Sequence, residues 1–246
     1  MGELFAVLSG KGGTGKTSVC AGIATALAEQ GKRVLCIDCD VGLRNLDISL
    51  GLSDSDSLSF QDVLSGSYTF DQIQPHPLFP RLSFLTAPVN ATADEVDLSA
   101  FAAMLQDARK KFHYVFLDAP AGIDAGFRLA AQYADRIVLV TGADPASVRD
   151  AARAGQLLEG MGKQNARIVV NRVAKKMVAT MSVTVDDVMD DAGLPLLGVV
   201  PEDENVTLAA AFGRSLLQHS RRSGAAQACR RIAKRIQGMH VPLPKK

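Results

Sequence analysis

The chain has 246 residues, of which 47% are hydrophobic and 5% aromatic, and its formal net charge is +1. This length fits one domain over 1–237 with a short Pro/Lys tail at 238–246, and the apolar content supports a large aliphatic core. No apolar run reaches membrane-spanning length and the first residues begin a strand rather than a signal peptide, so we expect a cytoplasmic protein.

The first predicted strand, 4–8, runs into a loop that matches the phosphate-binding pattern G-x-x-x-x-G-K-[ST] and then into a helix predicted over 18–30. Glycines let backbone N–H groups converge on phosphate oxygens, Lys16 adds a positive charge, and the Thr17 hydroxyl can bind Mg²⁺. The residues predicted to bind nucleotide here are Gly10, Lys11, Gly12, Gly13, Thr14, Gly15, Lys16, Thr17 and Ser18.

Five further apolar strands are predicted at 33–37, 113–117, 136–140, 167–170 and 196–200, with an additional one at 82–86. They alternate with helical patterns, which predicts an α/β fold: a doubly wound, mostly parallel sheet with helices on both faces, as in P-loop NTPases. In such sheets ligands bind beyond the carboxyl ends of the strands.

Polar residues follow these strand ends. Asp38 and Asp40 follow the second strand, where one carboxylate can hold metal-bound water and the other can orient the attacking water. Asp118 has the position of a Walker B carboxylate near Mg²⁺, and Gly122 is expected to bring a backbone N–H to the γ-phosphate. The last two strands are followed by Asn171, Arg172, Pro201, Glu202 and Asp203.

These motifs, in this order, resemble those of the MinD/ParA ATPases, the deviant Walker A group, and most closely those of its MinD branch. The loop carries that group's additional lysine at Lys11, residues 40–47 resemble its switch I, and residues 118–123 resemble its switch II. Residues 200–203 are similar to the segment that flanks the base. The resemblance extends from residue 3 to about residue 236.

The resemblance implies ATP and Mg²⁺ as cofactors and a homodimer that closes around two ATP molecules. It implies catalytic roles for Lys11, which crosses to the partner's phosphates, for Lys16, which binds the β- and γ-phosphates, and for Asp40, which orients the attacking water. Thr17 would ligate Mg²⁺, with Asp38 and Asp118 in the metal's outer shell.

The resemblance also assigns residues outside the loop. Asn171 would read the adenine and Arg172 would flank it, with a helix cap as the alternative interpretation of Asn171. Asn45 belongs to switch I, and Asp150 matches a position near the loop lysine.

The C-terminal region is basic, with nine Lys and Arg residues and no acidic residue after Glu204. An amphipathic helix is predicted over 224–239, with Ala225, Ala228, Cys229, Ile232, Ile236 and Met239 on its apolar face. MinD proteins dock on membranes through such a helix, but small residues on this face favour packing against the protein's own sheet. Peripheral contact of the basic tail with the inner face of the cell membrane stays open.

Three functions follow. The first is an ATPase of MinD type that places the division site, switches between ATP-bound dimer and ADP-bound monomer, and has division regulators of MinC/MinE type as partners. The second is a ParA-like or flagellar-number ATPase whose basic C-terminal region contacts DNA or a protein complex, with DNA the less favoured partner. The third is a nucleotide-gated scaffold with negligible hydrolysis.

Overall fold

The computed structural model describes residues 1–41, 44–88, 96–174 and 184–243. Its centre is a sheet of seven strands in the order β3-β2-β4-β1-β5-β6-β7, with every strand parallel to its neighbours. The strands are β1 (Glu3–Leu8), β2 (Val34–Asp38), β3 (Leu82–Leu85), β4 (Tyr114–Asp118), β5 (Arg136–Thr141), β6 (Ala166–Val173) and β7 (Leu196–Pro201).

The helices lie on both faces of this sheet. In chain order the described α-helices are α1 (Lys16–Glu29), α2 (Leu46–Leu50), α3 (Phe60–Leu64), α4 (Leu98–Lys111), α5 (Ala125–Tyr133), α6 (Pro145–Gly160), α7 (Val185–Ala192), α8 (Glu204–Ala211), α9 (Leu216–His219) and α10 (Gly224–Ile236). One core contains buried side chains of α4 to α7, and the opposite core contains those of α1, α2, α9 and α10. The predicted doubly wound α/β fold is confirmed.

Two element boundaries differ from the sequence-based expectation in ways that affect the site. Helix α1 begins at Lys16, so its first turn belongs to the phosphate loop itself. Strand β6 continues to Val173, so Asn171 and Arg172 lie within it rather than after it. The pairing of β6 with β7 is irregular between Val170 and Val173, and Arg172 has a φ of 56° there.

The last helix, α10, packs on α1 and β7. A Cβ added at Gly22 of α1 would lie 2.6 Å from the Cys229 Sγ, and one added at Gly198 of β7 would lie 2.5 Å from the Ile232 Cγ1. The small-residue face is therefore buried in the fold. Met239 was wrongly placed on this face, because α10 ends at Ile236 and Met239 is 49% exposed beyond it.

Several cationic side chains of the C-terminal region are bound to other groups of the protein. Arg230 and Arg221 both donate to the carboxylate of Glu29 on α1, at 2.6 and 2.5 Å. Arg235 donates to the Leu197 carbonyl at 2.8 Å and twice to the Val241 carbonyl, at 3.0 and 2.8 Å. In the described ranges no helix is long and apolar enough to cross a membrane.

Candidate nucleotide-binding site

The loop between β1 and α1 forms a tight backbone cradle. Gly13 and Gly15 have φ values of 80° and 83°, a backbone conformation that residues other than glycine rarely adopt. A Cβ added at Gly15 would lie 2.3 Å from the Asn171 Nδ2, and one added at Gly10 would lie 2.4 Å from the Asp150 carbonyl oxygen. The loop therefore needs glycine to fit between β6 and α6, and its N–H groups precede the positive end of the α1 dipole.

This cradle forms the floor of a cavity of about 410 Å³. Beyond the loop residues, its wall is completed by Asp40, Asn45, Ile48, Ser49, Ala121 and Arg172. Ile48 and Ser49 were not among the sequence-predicted residues. They lie on the five-residue helix α2, just beyond the residues 40–47 that resemble switch I, and α2 packs on α1.

Lys16, which lines the cavity, forms a buried ion pair with Asp118, which lies behind it and is not among the lining residues. The Lys16 Nζ lies 2.7 Å from a carboxylate oxygen of Asp118, with the two side chains 6% and 2% exposed. The same Nζ lies 3.2 Å from the Thr17 hydroxyl. Burial raises the pKa of Asp118, and the Lys16 ammonium opposes that shift. The structure thus brings together three predicted phosphate and metal residues.

The donor set fits a magnesium nucleotide. In the described ranges no three His, Cys, Asp or Glu side chains converge on one point, so a stand-alone metal site is absent from them. Mg²⁺ usually binds through few protein oxygens together with substrate phosphates, and Thr17 with Asp118 supplies such a set. The Thr14 Oγ1, in the cradle, is buried and lacks a hydrogen-bond partner among the described atoms.

Asp38 organises the segment that follows β2. Its carboxylate accepts the backbone N–H groups of Asp40 at 2.9 Å, Asn45 at 3.3 Å and Leu46 at 3.2 Å. The residue is 1% exposed, and burial, followed by the charge of Asp118, raises its pKa to about 6. In this structure Asp38 acts on the chain itself, and it places Asp40 and Asn45 at the cavity wall. Residues 42–43 of the predicted switch I lie outside the described residues.

Asp40 is half-buried at the edge of the cavity. Burial raises the pKa of its carboxyl group, and the charge of Lys16 opposes this. Because the backbone N–H of Asp40 is held by Asp38, its position is fixed relative to the Lys16–Asp118 pair.

Lys11 forms an ion pair with Asp144 rather than with Asp150. Its Nζ lies 3.3 Å from an Asp144 carboxylate oxygen, and the two side chains are 34% and 47% exposed. Asp144 also caps α6, since it accepts the Ser147 N–H at 3.0 Å. The Ser147 hydroxyl, and less strongly Lys11, lower the pKa of Asp144 to about 2. Sequence reasoning missed Asp144, although an Asp directly before Pro145 is a typical helix start.

Asn171 supports the cradle from β6. Its Nδ2 donates to the Thr14 carbonyl at 2.7 Å, and the residue is 6% exposed. Since it lies inside a strand, the helix-cap interpretation was wrong. The neighbouring Arg172 lines the cavity with the positive φ that non-glycine residues rarely adopt. Their roles toward adenine stay predictions.

The remaining predicted residues have internal partners. The Gly122 N–H donates to the Ser9 carbonyl at 3.2 Å, so a contact with a γ-phosphate would replace this bond. The Asp203 carboxylate accepts the N–H of Asn205 at 3.1 Å and that of Ala225 at 2.9 Å, which caps both α8 and α10. Pro201, Glu202 and Asp203 are not among the cavity-lining residues, and their nucleotide contacts stay predictions.

Septum site-determining proteins match nearly the full length of this chain. The septum site-determining protein MinD of Synechocystis sp. is 35% identical over 244 residues, which cover 98% of this chain and 92% of the relative. MinD of Bacillus subtilis is 36% identical over 248 residues, which cover 99% of this chain and 92% of the relative.

Solved structures of MinD proteins superimpose on nearly the whole of this chain. A chain of the MinC:MinD cell division protein complex of Aquifex aeolicus superimposes with a TM-score of 0.89 at 33% identity, covering 99% of this chain and 98% of that one. MinD of Pyrococcus horikoshii, solved with Mg-ADP, gives 0.82 at 26% identity, with 96% of both chains covered. The family model "CobQ/CobB/MinD/ParA nucleotide binding domain" matches residues 5–216. This chain belongs to that family of P-loop ATPases, as its motifs predicted.

Proposed function

We propose that this chain is a Mg²⁺-dependent ATP hydrolase that dimerises around ATP and takes part in placing the cell division site. The observation that carries the proposal is that Lys16, in the glycine cradle, forms a buried ion pair with Asp118, with Asp40 also lining the cavity. The relatives in Synechocystis and Bacillus, named for septum-site determination, support the cellular role.

The nucleotide would be held by groups that the structure already positions. The N–H groups of the loop and of the start of α1 would donate to the phosphate oxygens. The Lys16 ammonium would move from Asp118 toward the β- and γ-oxygens. The Thr17 hydroxyl would bind Mg²⁺ directly, with Asp118 and Asp38 in its outer shell. When bound, Mg²⁺ neutralises charge that develops on the phosphoryl group.

Asp40 would orient the attacking water. Phosphoryl transfer requires mostly positioning and charge neutralisation, and a carboxylate with a fixed backbone supplies the first of these. The hydrogen bond from the Asp40 N–H to Asp38 provides that fixed position.

Lys11 would supply positive charge to the partner's phosphates in the dimer. It is held by Asp144 across 3.3 Å in a half-exposed pair, and such pairs contribute only about 0–1 kcal/mol. Lys11 can therefore leave Asp144 with little loss, and a switch between ADP-bound monomer and ATP-bound dimer would use this release.

The proposal is tested by Asp40→Ala and Lys11→Ala, each compared with the exposed-site control Asp54→Ala. We expect Asp40→Ala to lose turnover while it keeps ATP-dependent dimers by light scattering, and Lys11→Ala to lose the dimers while it keeps some nucleotide binding. Wild-type turnover in Asp40→Ala would remove Asp40 from the mechanism, and absent turnover in the wild type would favour the nucleotide-gated scaffold.

Division regulators of MinC/MinE type are the proposed protein partners, because the Aquifex aeolicus relative was solved in complex with MinC. The basic C-terminal region is the part proposed here for peripheral membrane contact. Sedimentation of the full chain with anionic vesicles, with and without ATP, tests it, and no ATP-dependent shift would exclude it. The ParA-like alternative gains little support, since Arg221, Arg230 and Arg235 have internal partners.

A further inference from the structure

A second cavity lies at the opposite end of the sheet from the nucleotide site. It has a volume of about 570 Å³ and is formed where β1, β2, β4 and β5 begin and α10 ends. The length of β1, roughly 20 Å, separates it from the phosphate loop. Five cationic side chains and one carboxylate line it: Lys32, Arg33, Arg109, Lys110, Arg136 and Glu3. We call it the amino-end cavity.

Three of these cations are neutralised within the protein. Arg109 pairs with Asp135 at 3.0 Å, Lys110 with Asp107 at 2.6 Å, and Arg136 with Glu3 at 3.2 Å. Within the described part of the chain, Lys32 and Arg33 have no carboxylate partner, and neither does the adjacent Arg81. The positive charge of the cavity is therefore concentrated at its Lys32–Arg33 side.

Arg33 lines this cavity with an exposed side chain that can bind an anion. Its Nε donates to the Lys111 carbonyl at 2.7 Å, which leaves its two terminal nitrogens for a ligand. Its backbone N–H donates to the His113 Nδ1 at 2.8 Å, so the neutral imidazole carries its proton on Nε2 and offers a further donor. A held guanidinium is the group best suited to bidentate binding of a phosphate.

The pKa of the His113 imidazole responds to the positive charge beside it. Burial, and then the charges of Arg33, Lys32 and Arg81, lower the pKa of this imidazole. An anion bound beside these cations would act in the opposite sense, because it favours the imidazolium.

We propose that the amino-end cavity binds a phosphate group through Lys32, Arg33 and the Nε2–H of His113. The concave shape and its volume suit a single phosphate with an attached group rather than an extended nucleic acid. The phosphate belongs either to a free phosphorylated molecule or to a lipid headgroup, since the two share this chemistry. The site is separate from the P-loop, and its failure would leave the proposed ATPase function untouched.

The test follows the His113 imidazole by NMR in the full chain saturated with Mg-ADP, so that the phosphate loop is filled. Inorganic pyrophosphate is the soluble probe, and vesicles of phosphatidylglycerol or phosphatidylcholine are the lipid probes, all at constant ionic strength. With pyrophosphate we expect a saturable shift of the His113 resonance and a rise of its pKa by roughly one pH unit.

The variant Lys32→Gln/Arg33→Gln should lose this response while its ATPase rate is unchanged. Arg153→Gln/Arg167→Gln removes the same charge from exposed sites outside both this cavity and the basic C-terminal region, and it should keep the response. Saturation by pyrophosphate without sedimentation on phosphatidylglycerol assigns a free ligand, and Lys32/Arg33-dependent sedimentation on phosphatidylglycerol but not phosphatidylcholine assigns a headgroup. No His113 response to either probe, or equal losses in the two double variants, overturns the proposal.

Discussion

The packing of α10 on β7 gives a sharp prediction about the last helix. Ile232 is 1% exposed, and its Cγ1 and Cδ1 occupy the space directly above Gly198, where a Cβ would lie 2.5 and 2.9 Å from them. Truncating this side chain tests whether α10 belongs to the core. The matched partner is Gly198→Ala, which adds one methyl group to the same space.

The magnitudes follow from the number of atoms removed. Ile232→Ala deletes three carbons at about 0.8 kcal/mol each, roughly 2.4 kcal/mol of lost burial. Gly198 has no side chain to collapse into the hole, so a cavity term adds to this and the total should reach about 3–4 kcal/mol. Gly198→Ala alone crowds Ile232 and should cost about 1–3 kcal/mol. In the double variant the new methyl occupies the vacated space, so the combined loss should fall below the sum by about 1–3 kcal/mol.

Urea denaturation followed by circular dichroism measures all three free energies of unfolding. The control is Lys234→Ala on the exposed side of α10, which should change stability by less than about 0.5 kcal/mol. If Ile232→Ala were as mild as this control, α10 would not be part of the core. If the two single losses simply added, Ile232 would not occupy the space above Gly198.

Three further predictions concern the nucleotide site. In nucleotide-free protein with EDTA, Asp38→Asn should raise the free energy of unfolding at pH 7.5, by up to about 3 kcal/mol, because a carboxyl whose pKa rises from 3.8 to about 6 loses its stabilising contribution as pH increases through that range. The gain should vanish near pH 4, and thermal melts that show the same gain at both pH values would contradict it. Asp144→Asn keeps an α6 cap but releases Lys11, so light scattering should show ATP-dependent dimers at up to about fivefold lower protein concentration, and weaker dimers would contradict the release. Asn171→Ala removes the bond to the Thr14 carbonyl and should weaken fluorescent-nucleotide binding about tenfold, whereas an unchanged affinity would show that the cradle stands without it.

Controls for these variants come from the same chain. Asp54→Asn, at an exposed site, should leave the pH dependence of stability unchanged. Asn165→Ala lies just before β6 with an exposed side chain, and it should leave nucleotide affinity unchanged.

The parts of the site that could be predicted from sequence are those set by local order. The strand, glycine loop and helix around Lys16 follow one another in the chain, and parallel strand ends necessarily bring Asp118 and Asp38 to the same edge. Apolar strand runs and glycine spacing therefore fixed both the fold class and the cradle in advance.

The parts that could not be predicted depend on partners distant in sequence. The pairing of Lys11 with Asp144 needs the distance between the loop and the start of α6, which no spacing rule supplies. The position of Asn171 inside β6 depends on an irregular ladder with β7, and the pattern of apolar residues ended the strand at 170. Asp203 is predicted to contact nucleotide because it follows a strand and because residues 200–203 resemble the segment that flanks the base; that contact stays a prediction, and the partners of Asp203 in this structure are two helix starts.

The position of Asp203 has a mechanical consequence. One carboxylate holds the first turns of α8 and α10, which are otherwise 20 residues apart in sequence, directly beyond the end of β7. A shift of this strand end would therefore act on both helix starts together. The Asp203 carboxylate therefore links the carboxyl end of the sheet, where the glycine cradle lies, to the last helix of the chain.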